Sequence, residues 1–234
     1  MVARLHPGAV WVDFYGDAQL EIYGLDGVRQ ALLDMPPDWE LPGDVDPVWS
    51  PDGTSLRVPF RWEIPVDGSE PRELSGDDPR TQLITSYSPD RTQIAYIDRD
   101  NGLGVAAADG SQARILIPGE IAKDFPVAPH GLSWSPTGDR IAFVHRKRLP
   151  EGGRANELAV LAVASGSVVP LADMDPGHQY QYVKFSPEGD QILFTRTDDT
   201  GARSLWSVDA DGSDLQRLVD GSSWGDWQTV TPKR

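Results

Sequence analysis

Apolar residues in this chain come in runs of a few positions that stop at glycine, proline or aspartate, a pattern that predicts short β-strands and argues against long helices. Four of these runs are SLRVPF from Ser55, QIAYID from Gln93, RIAFVH from Arg140 and QILFTR from Gln191. Each is followed by a second strand closing on a tight turn, WEIPVDG, GVAAADG, LAVLAVASG and LWSVDADG, and then by a third, EPRELS, ARILIP, SVVPLA and DLQRLV. Asp-Gly supplies the positive backbone angles that a two-residue hairpin needs, so these turns predict antiparallel neighbours.

Ahead of each set stands a recurring motif: WSPDG at Trp49, YSPDR at Tyr87, WSPTG at Trp134 and FSPEG at Phe185. The aromatics are 38 (49 to 87), 47 (87 to 134) and 51 (134 to 185) residues apart, and Trp224 follows 39 later (185 to 224). Such periods fit four-stranded propeller blades of roughly 40–50 residues. Pro51, Pro89, Pro136 and Pro187 set the turn, Asp52 and Gly53 complete it in the first copy, and the aromatic is expected in the core near the end of an inner strand. Residues 9–33 read as strands two to four of a blade with no motif before them, and 222–230 as a first strand with nothing after it. The expectation is a single all-β domain over 1–234, a five-bladed antiparallel β-propeller with blades near 9–33 plus 222–230, 46–75, 83–118, 131–172 and 182–219. Pairing the C-terminal strand with the N-terminal blade would leave no open seam. A sixth blade drawn from 34–47 and 118–131 is the alternative.

Composition narrows the function more than the fold. Thirty-six acidic against 21 basic residues give a formal charge of -15, which disfavours nucleic acid and anionic membrane as partners. The chain has no cysteine, so no disulfide, thiolate metal site or thiol nucleophile is available. No apolar run reaches the roughly 18–20 residues of a membrane span, so direct membrane insertion is not expected. The start, MVARLHPGAVWVDFYG, lacks the apolar stretch of a signal peptide.

The WSPDG turn before an apolar strand, together with DADGSDLQRL, resembles the WD40-like propeller repeat of the TolB family, also found in prolyl-oligopeptidase-type propeller domains. The resemblance covers nearly the whole chain. It implies a non-catalytic scaffold that binds a protein or peptide, in the manner of an envelope-associated assembly, with no cofactor or metal. It also implies a periplasmic or extracellular place if an export signal has been removed, and a cytoplasmic one otherwise.

In a blade, the turns from strand one to two and from three to four share one side, and here they are short and repetitive. The connections from two to three and between blades share the other side and hold the irregular sequence, where function is expected. Candidate binding residues there are Trp39, Asp44 and Asp46 in the acidic loop 34–47, Lys123, Asp124 and His130 in 118–131, Arg146 and Arg148 flanking Lys147 in a basic knuckle, and His178 and Tyr180 in 173–182. Solvated loops and hydrogen-bonded structural histidines are the plain alternatives. GSSWG around Ser223 satisfies a nucleophile-elbow pattern but has no later histidine, and the run Asp209 to Asp214 reads as a hairpin turn rather than a calcium loop. Asp13, Asp98 and Asp198 end or follow second strands, so a propeller glycoside hydrolase working with carboxylates remains an enzyme alternative. A propeller severed from a multidomain peptidase or sensor is a third.

Overall fold

The computed structural model describes residues 12–15, 19–23, 28–35, 48–58, 61–82, 85–98, 100, 102–118, 131–148, 154–171, 178–221 and 225–227. These are strands and their connections, apart from one 3-10 turn at Pro79–Thr81, and none of the described helices is long and apolar enough to cross a membrane.

Five antiparallel sheets follow one another along the chain. The first has three strands among the described residues, β1 (Val12–Tyr15), β2 (Gln19–Tyr23) and β3 (Arg29–Asp34). The second is β4 (Val48–Trp49), β5 (Ser55–Val58), β6 (Trp62–Pro65) and β7 (Arg72–Glu73). The third is β8 (Thr85–Tyr87), β9 (Gln93–Ile97), β10 (Leu103–Ala107) and β11 (Arg114–Ile117). The fourth is β12 (Leu132–Trp134), β13 (Arg140–Arg148), β14 (Arg154–Ala162) and β15 (Val168–Pro170). The fifth is β16 (Gln179–Phe185), β17 (Gln191–Thr197), β18 (Arg203–Asp209) and β19 (Gln216–Asp220). Each pairs its strands in chain order, as a meander does. The chain divides into two compact units, Met1–Leu83 with Ala108–Gly110, and Ile84–Ala107 with Ser111–Arg234.

The motif serine ties each inner strand to the next. Its hydroxyl accepts the N–H of the residue five positions on, at 2.9 Å from Ser55, 3.0 Å from Gln93, 3.1 Å from Arg140 and 3.1 Å from Gln191. The same hydroxyl donates to a carboxylate: Ser50 to Asp52, Ser88 to Asp90, Ser135 to Asp139 and Ser186 to Asp190, at 2.6–2.9 Å. Hydrogen bonds from Ser and Thr hold the carboxyls of Asp52, Asp90 and Asp139 below the ordinary range. The turn position held by Gly53, Gly138 and Gly189 has φ near +75° (73°, 72° and 78°), and Arg91 occupies it at +60°. Within each Asp-Gly pair only the glycine has positive φ, at Gly68, Gly110 and Gly212. The two-residue turn expected there, with both angles positive, is therefore replaced by a wider one in which Asp209 N–H donates to the Ser213 carbonyl at 2.9 Å.

The second unit buries two apolar layers between its sheets. Ala95, Ile97, Leu103 and Val105 meet Trp134, Ile141, Phe143 and Leu161, while Ala142, Val144, Leu158 and Val160 meet Tyr180, Val183, Phe185 and Phe194. Trp49, Tyr87, Trp134 and Phe185 each end the first strand of their sheet; Trp134 and Phe185 are buried, and Trp49 and Tyr87 are half-buried. Trp134 Nε1 donates to the Ser86 carbonyl, just ahead of Tyr87, at 2.9 Å. The same bond recurs at the end of the chain, where Trp227 Nε1 donates to the Lys184 carbonyl, just ahead of Phe185, at 3.1 Å. Trp224, expected as the fifth repeat aromatic, lies outside the described residues. Trp227 makes the repeat's bond, and Asp226 secures it through Lys184 at 2.6 Å.

The first unit packs Leu20, Ile22 and Leu33 against Leu56 and Ile64. Its second sheet also carries a buried charged rung. Arg57 pairs with Glu63 across β5 and β6, where the corresponding rungs elsewhere are Ala95 with Val105, Ala142 with Val160 and Leu193 with Ser207. Arg57 Nη1 donates to the Arg80 carbonyl, and Arg80 in turn holds Asp78 Oδ2 at 2.7 Å and Glu63 Oε1 at 3.4 Å. Arg72 also donates to Glu63, as does the Ser55 hydroxyl at 3.0 Å. Desolvation raises the carboxyls of Glu63 and Asp78, but the hydrogen bonds and charges of Arg72 and Arg80, with Ser55 at Glu63, more than offset it and leave both below their ordinary values.

Arg91→Gly is expected to stabilise the protein by about 1 kcal/mol by relieving a left-handed non-glycine residue, raising the midpoint of a thermal melt by about 2–4 °C. Trp227→Phe keeps the ring and removes the N–H, so a loss of about 1 kcal/mol in denaturant melts is expected, against a larger loss for Trp227→Ala. Because the folded-state pKa values of Glu63 and Asp78 are depressed, their contribution is full above the ordinary carboxylate range near about pH 4 and is lost as pH falls through the folded values. Arg80→Met should cost about 3 kcal/mol at neutral pH and flatten this acid limb in melts recorded as a function of pH.

Candidate functional site

The second-to-third-strand end of the fourth and fifth sheets gathers polar and aromatic groups on rigid strands. In the third sheet the chain leaves β9 at Asp98, whose carboxylate accepts the N–H groups of Asp100 at 2.9 Å and Gly102 at 2.6 Å and so closes the loop. The fifth sheet runs further before the same device, Asp198, accepts from Thr200 and Ala202, each at 2.9 Å. That extension places Arg196 on the face that Phe194 and Trp206 share.

Arg196 stacks on Trp206, with its guanidinium carbon 5.0 Å from the ring centroid. Its Nη2 lies 2.7 Å from His178 Nδ1 and 3.1 Å from Nε2. An arginine can only donate, so the ring nitrogen it meets is an acceptor. Trp206 Nε1 donates to Ser204 Oγ at 2.9 Å, and Asn156 Nδ2, from the fourth sheet, donates to the His178 carbonyl at 3.2 Å. His178, Arg196 and Trp206 are each half-buried.

Beside this cluster the inner strand is distorted. Its ladder shifts register between Gln181 and Lys184, and Tyr182 takes φ +54°. The other described non-glycine residues with positive φ, Arg91, Gln112 and Asp214, all lie in turns. Bulges and left-handed residues inside strands recur beside binding and catalytic sites, where they redirect side chains. Here the bulge lets Tyr180, Val183 and Phe185 all reach the core although their spacing is not a strict alternation.

The sequence-predicted residues fare differently. His178 belongs to the cluster, and Arg146 sits on β13 directly opposite Asn156, with Arg148 two residues further along. Tyr180 is 3% exposed and packs edge-on to Phe194 at 5.8 Å, so it is a core residue rather than a surface contact. Trp39, Asp44, Asp46, Lys123, Asp124, His130 and Ser223 lie outside the described residues. Arg196, Trp206 and Asn156 were not anticipated: an arginine after an apolar run reads as solvent-facing, and a tryptophan within one reads as core.

Asp13 lies on β1, while Asp98 and Asp198 cap their own loops, and hydrogen bonds from Thr200 and Ala202 hold the Asp198 carboxyl below its ordinary value. Asp211 accepts the N–H of Ser213 at 2.9 Å within the hairpin turn, and no group of three or more metal-ligating side chains occurs among the described residues.

No protein-family model matches the chain. Uncharacterized protein Atu1656 of Agrobacterium fabrum is 25% identical over 220 residues, which cover 90% of this chain and 68% of that protein. Tricorn protease homolog 1 of Streptomyces coelicolor is 30% identical over 240 residues, covering 92% of this chain but 21% of that protein. Among solved structures, one described as a TolB from Agrobacterium tumefaciens aligns with a TM-score of 0.54 at 23% identity, over 77% of this chain and 63% of that one. The chain thus spans less than two thirds of that TolB structure. Likeness at this level speaks to architecture, and the chain has the fold of the TolB-like β-propellers, to which its Ser-Pro turns also point.

Proposed function

We propose that this chain is a non-catalytic scaffold that binds a protein or peptide through the side carrying its second-to-third-strand and between-sheet connections. The cluster of Arg196, His178 and Trp206 carries this reading. It offers a stacked guanidinium and an aromatic surface, the residue types that dominate binding energy at protein interfaces. The strands beneath fix these groups in place, so little side-chain freedom remains to be lost on binding.

We also propose that the five sheets are the blades of one propeller closed by residues 222–230. Three observations support closure: the three-stranded first sheet, the inner-strand bond made by Trp227, and the buried indole N–H of Trp49, which has no partner among the described residues. A second functional reading, a propeller that works with a peptidase, is favoured by the 30% identity to part of a tricorn protease homolog.

Affinity capture followed by mass spectrometry tests the scaffold. The intact protein and an Asp214→Asn control, altered at the far end of the fifth sheet, are expected to retain the same partner. A His178→Ala/Arg196→Ala variant with an unchanged melt is expected to lose at least about tenfold of it. Equal capture by all three would sink the proposal, and peptidase activity in the captured material would favour the second reading.

A further inference from the structure

The strands β11, β15 and β19 each stand last in their sheets, and among the described residues no further strand pairs with them. They are exposed and partly apolar: Ile115 is 43% exposed, Val169 44% and Val219 51%. A last strand of that kind is a template on which another chain can pair. What differs from a plain template is the course of the backbone in all three.

Two of these strands are broken at equivalent places. In the third sheet Gly104 pairs with Ile115 and Leu103 with Ile117, so Leu116 is an extra residue; in the fifth Trp206 pairs with Arg217 and Leu205 with Val219, so Leu218 is the extra one. Nearer the hairpin, both strands carry a left-handed non-glycine residue, Gln112 at φ +55° and Asp214 at +50°. Bulges bend a strand and increase its twist, so a straight neighbour cannot follow it. The fourth sheet has no such break. Ala162 N–H donates to the Ser167 carbonyl and Leu171 N–H to the Leu158 carbonyl, each at 2.9 Å, and the rungs between keep one register. Bonded and non-bonded pairs alternate along an antiparallel ladder, so Ala159 with Pro170, next to the bonded Leu158 and Leu171, is a non-bonded pair whose backbone groups face away from the partner strand. Pro170 thus removes an N–H that would face outward from β15, where Val168 and Val169 otherwise favour an extended, open edge.

We infer that these last strands are shaped to refuse a further strand, from a second copy of this chain or from a partner, by a bulge in the third and fifth sheets and by Pro170 in the fourth. The exposed valines, leucine and isoleucine are tolerated because the backbone beside them offers no regular run of donors and acceptors. A partner at the Arg196 cluster is then held by side chains and not by backbone pairing along β19.

Size-exclusion chromatography with light scattering, at tens to hundreds of micromolar protein, tests this. The intact protein is expected at the mass of a single chain. Pro170→Thr restores the outward N–H, and deletion of the exposed Leu218 makes β19 a regular strand; each should raise the mass about twofold or more as concentration rises, while melting like the intact protein. A charge on the restored edge, in Val169→Lys/Pro170→Thr, should return the protein to single-chain mass, and Leu218→Ala, which keeps the bulge, should never leave it. Folded Pro170→Thr and Leu218-deleted proteins that both stay at single-chain mass would overturn the inference. So would an intact protein that self-associates and is returned to single-chain mass by Val169→Lys alone, or a Leu218→Ala variant that associates as strongly as the deletion.

Discussion

A serine hydroxyl with two obligations organises each Ser-Pro repeat. It must receive the first N–H of the following strand and give its own proton to an aspartate, and no other side chain of that size does both. Threonine would add a methyl group in a space where Ser135 is fully enclosed. The proline beside it fixes one backbone angle, and the left-handed residue three positions after the serine completes the reversal. Inner and second strands therefore leave the turn in a fixed register, which in turn delivers Ile94, Ile141 and Ile192 to the core.

With register fixed at one end of each sheet, the opposite end is free to vary. The third sheet closes at Asp98, the fifth grows by one rung pair and closes with the same device at Asp198, and the fourth omits the device and becomes a ribbon. The fourth sheet's connection is also longer in sequence, so its length and the loop-closing residue together set how far the strands run while the core beneath keeps its register. This is how one repeat supports the Arg196 cluster on one sheet and a longer ribbon on another.

Much of this was legible in the sequence because Ser-Pro turns and apolar runs follow local rules. The strand sequence and the sheet meanders come directly from them. What escaped depends on contacts between strands that are distant in sequence. Trp224 lies outside the described residues, and nothing local in the sequence marks Trp227 as the residue that donates to the Lys184 carbonyl. Tyr180 looked accessible because a bulge further along its strand moves it out of the expected alternation. In SLRVPF, nothing local marks Arg57 as buried, since its partner Glu63 and the buried Arg80 lie on later segments. The turn aspartate was legible as a type but not as a position: Asp52 and Asp139 do the same work from two places in the motif.

The charged rung of the second sheet bears on stability in acid. Apolar burial is nearly indifferent to ionic strength, while the attraction among Arg57, Glu63, Asp78 and Arg80 weakens with acid and, where water reaches it, with salt. Acid therefore withdraws this rung's share of the first unit's stability as Glu63 and Asp78 take up protons, while the apolar packing beside it is untouched.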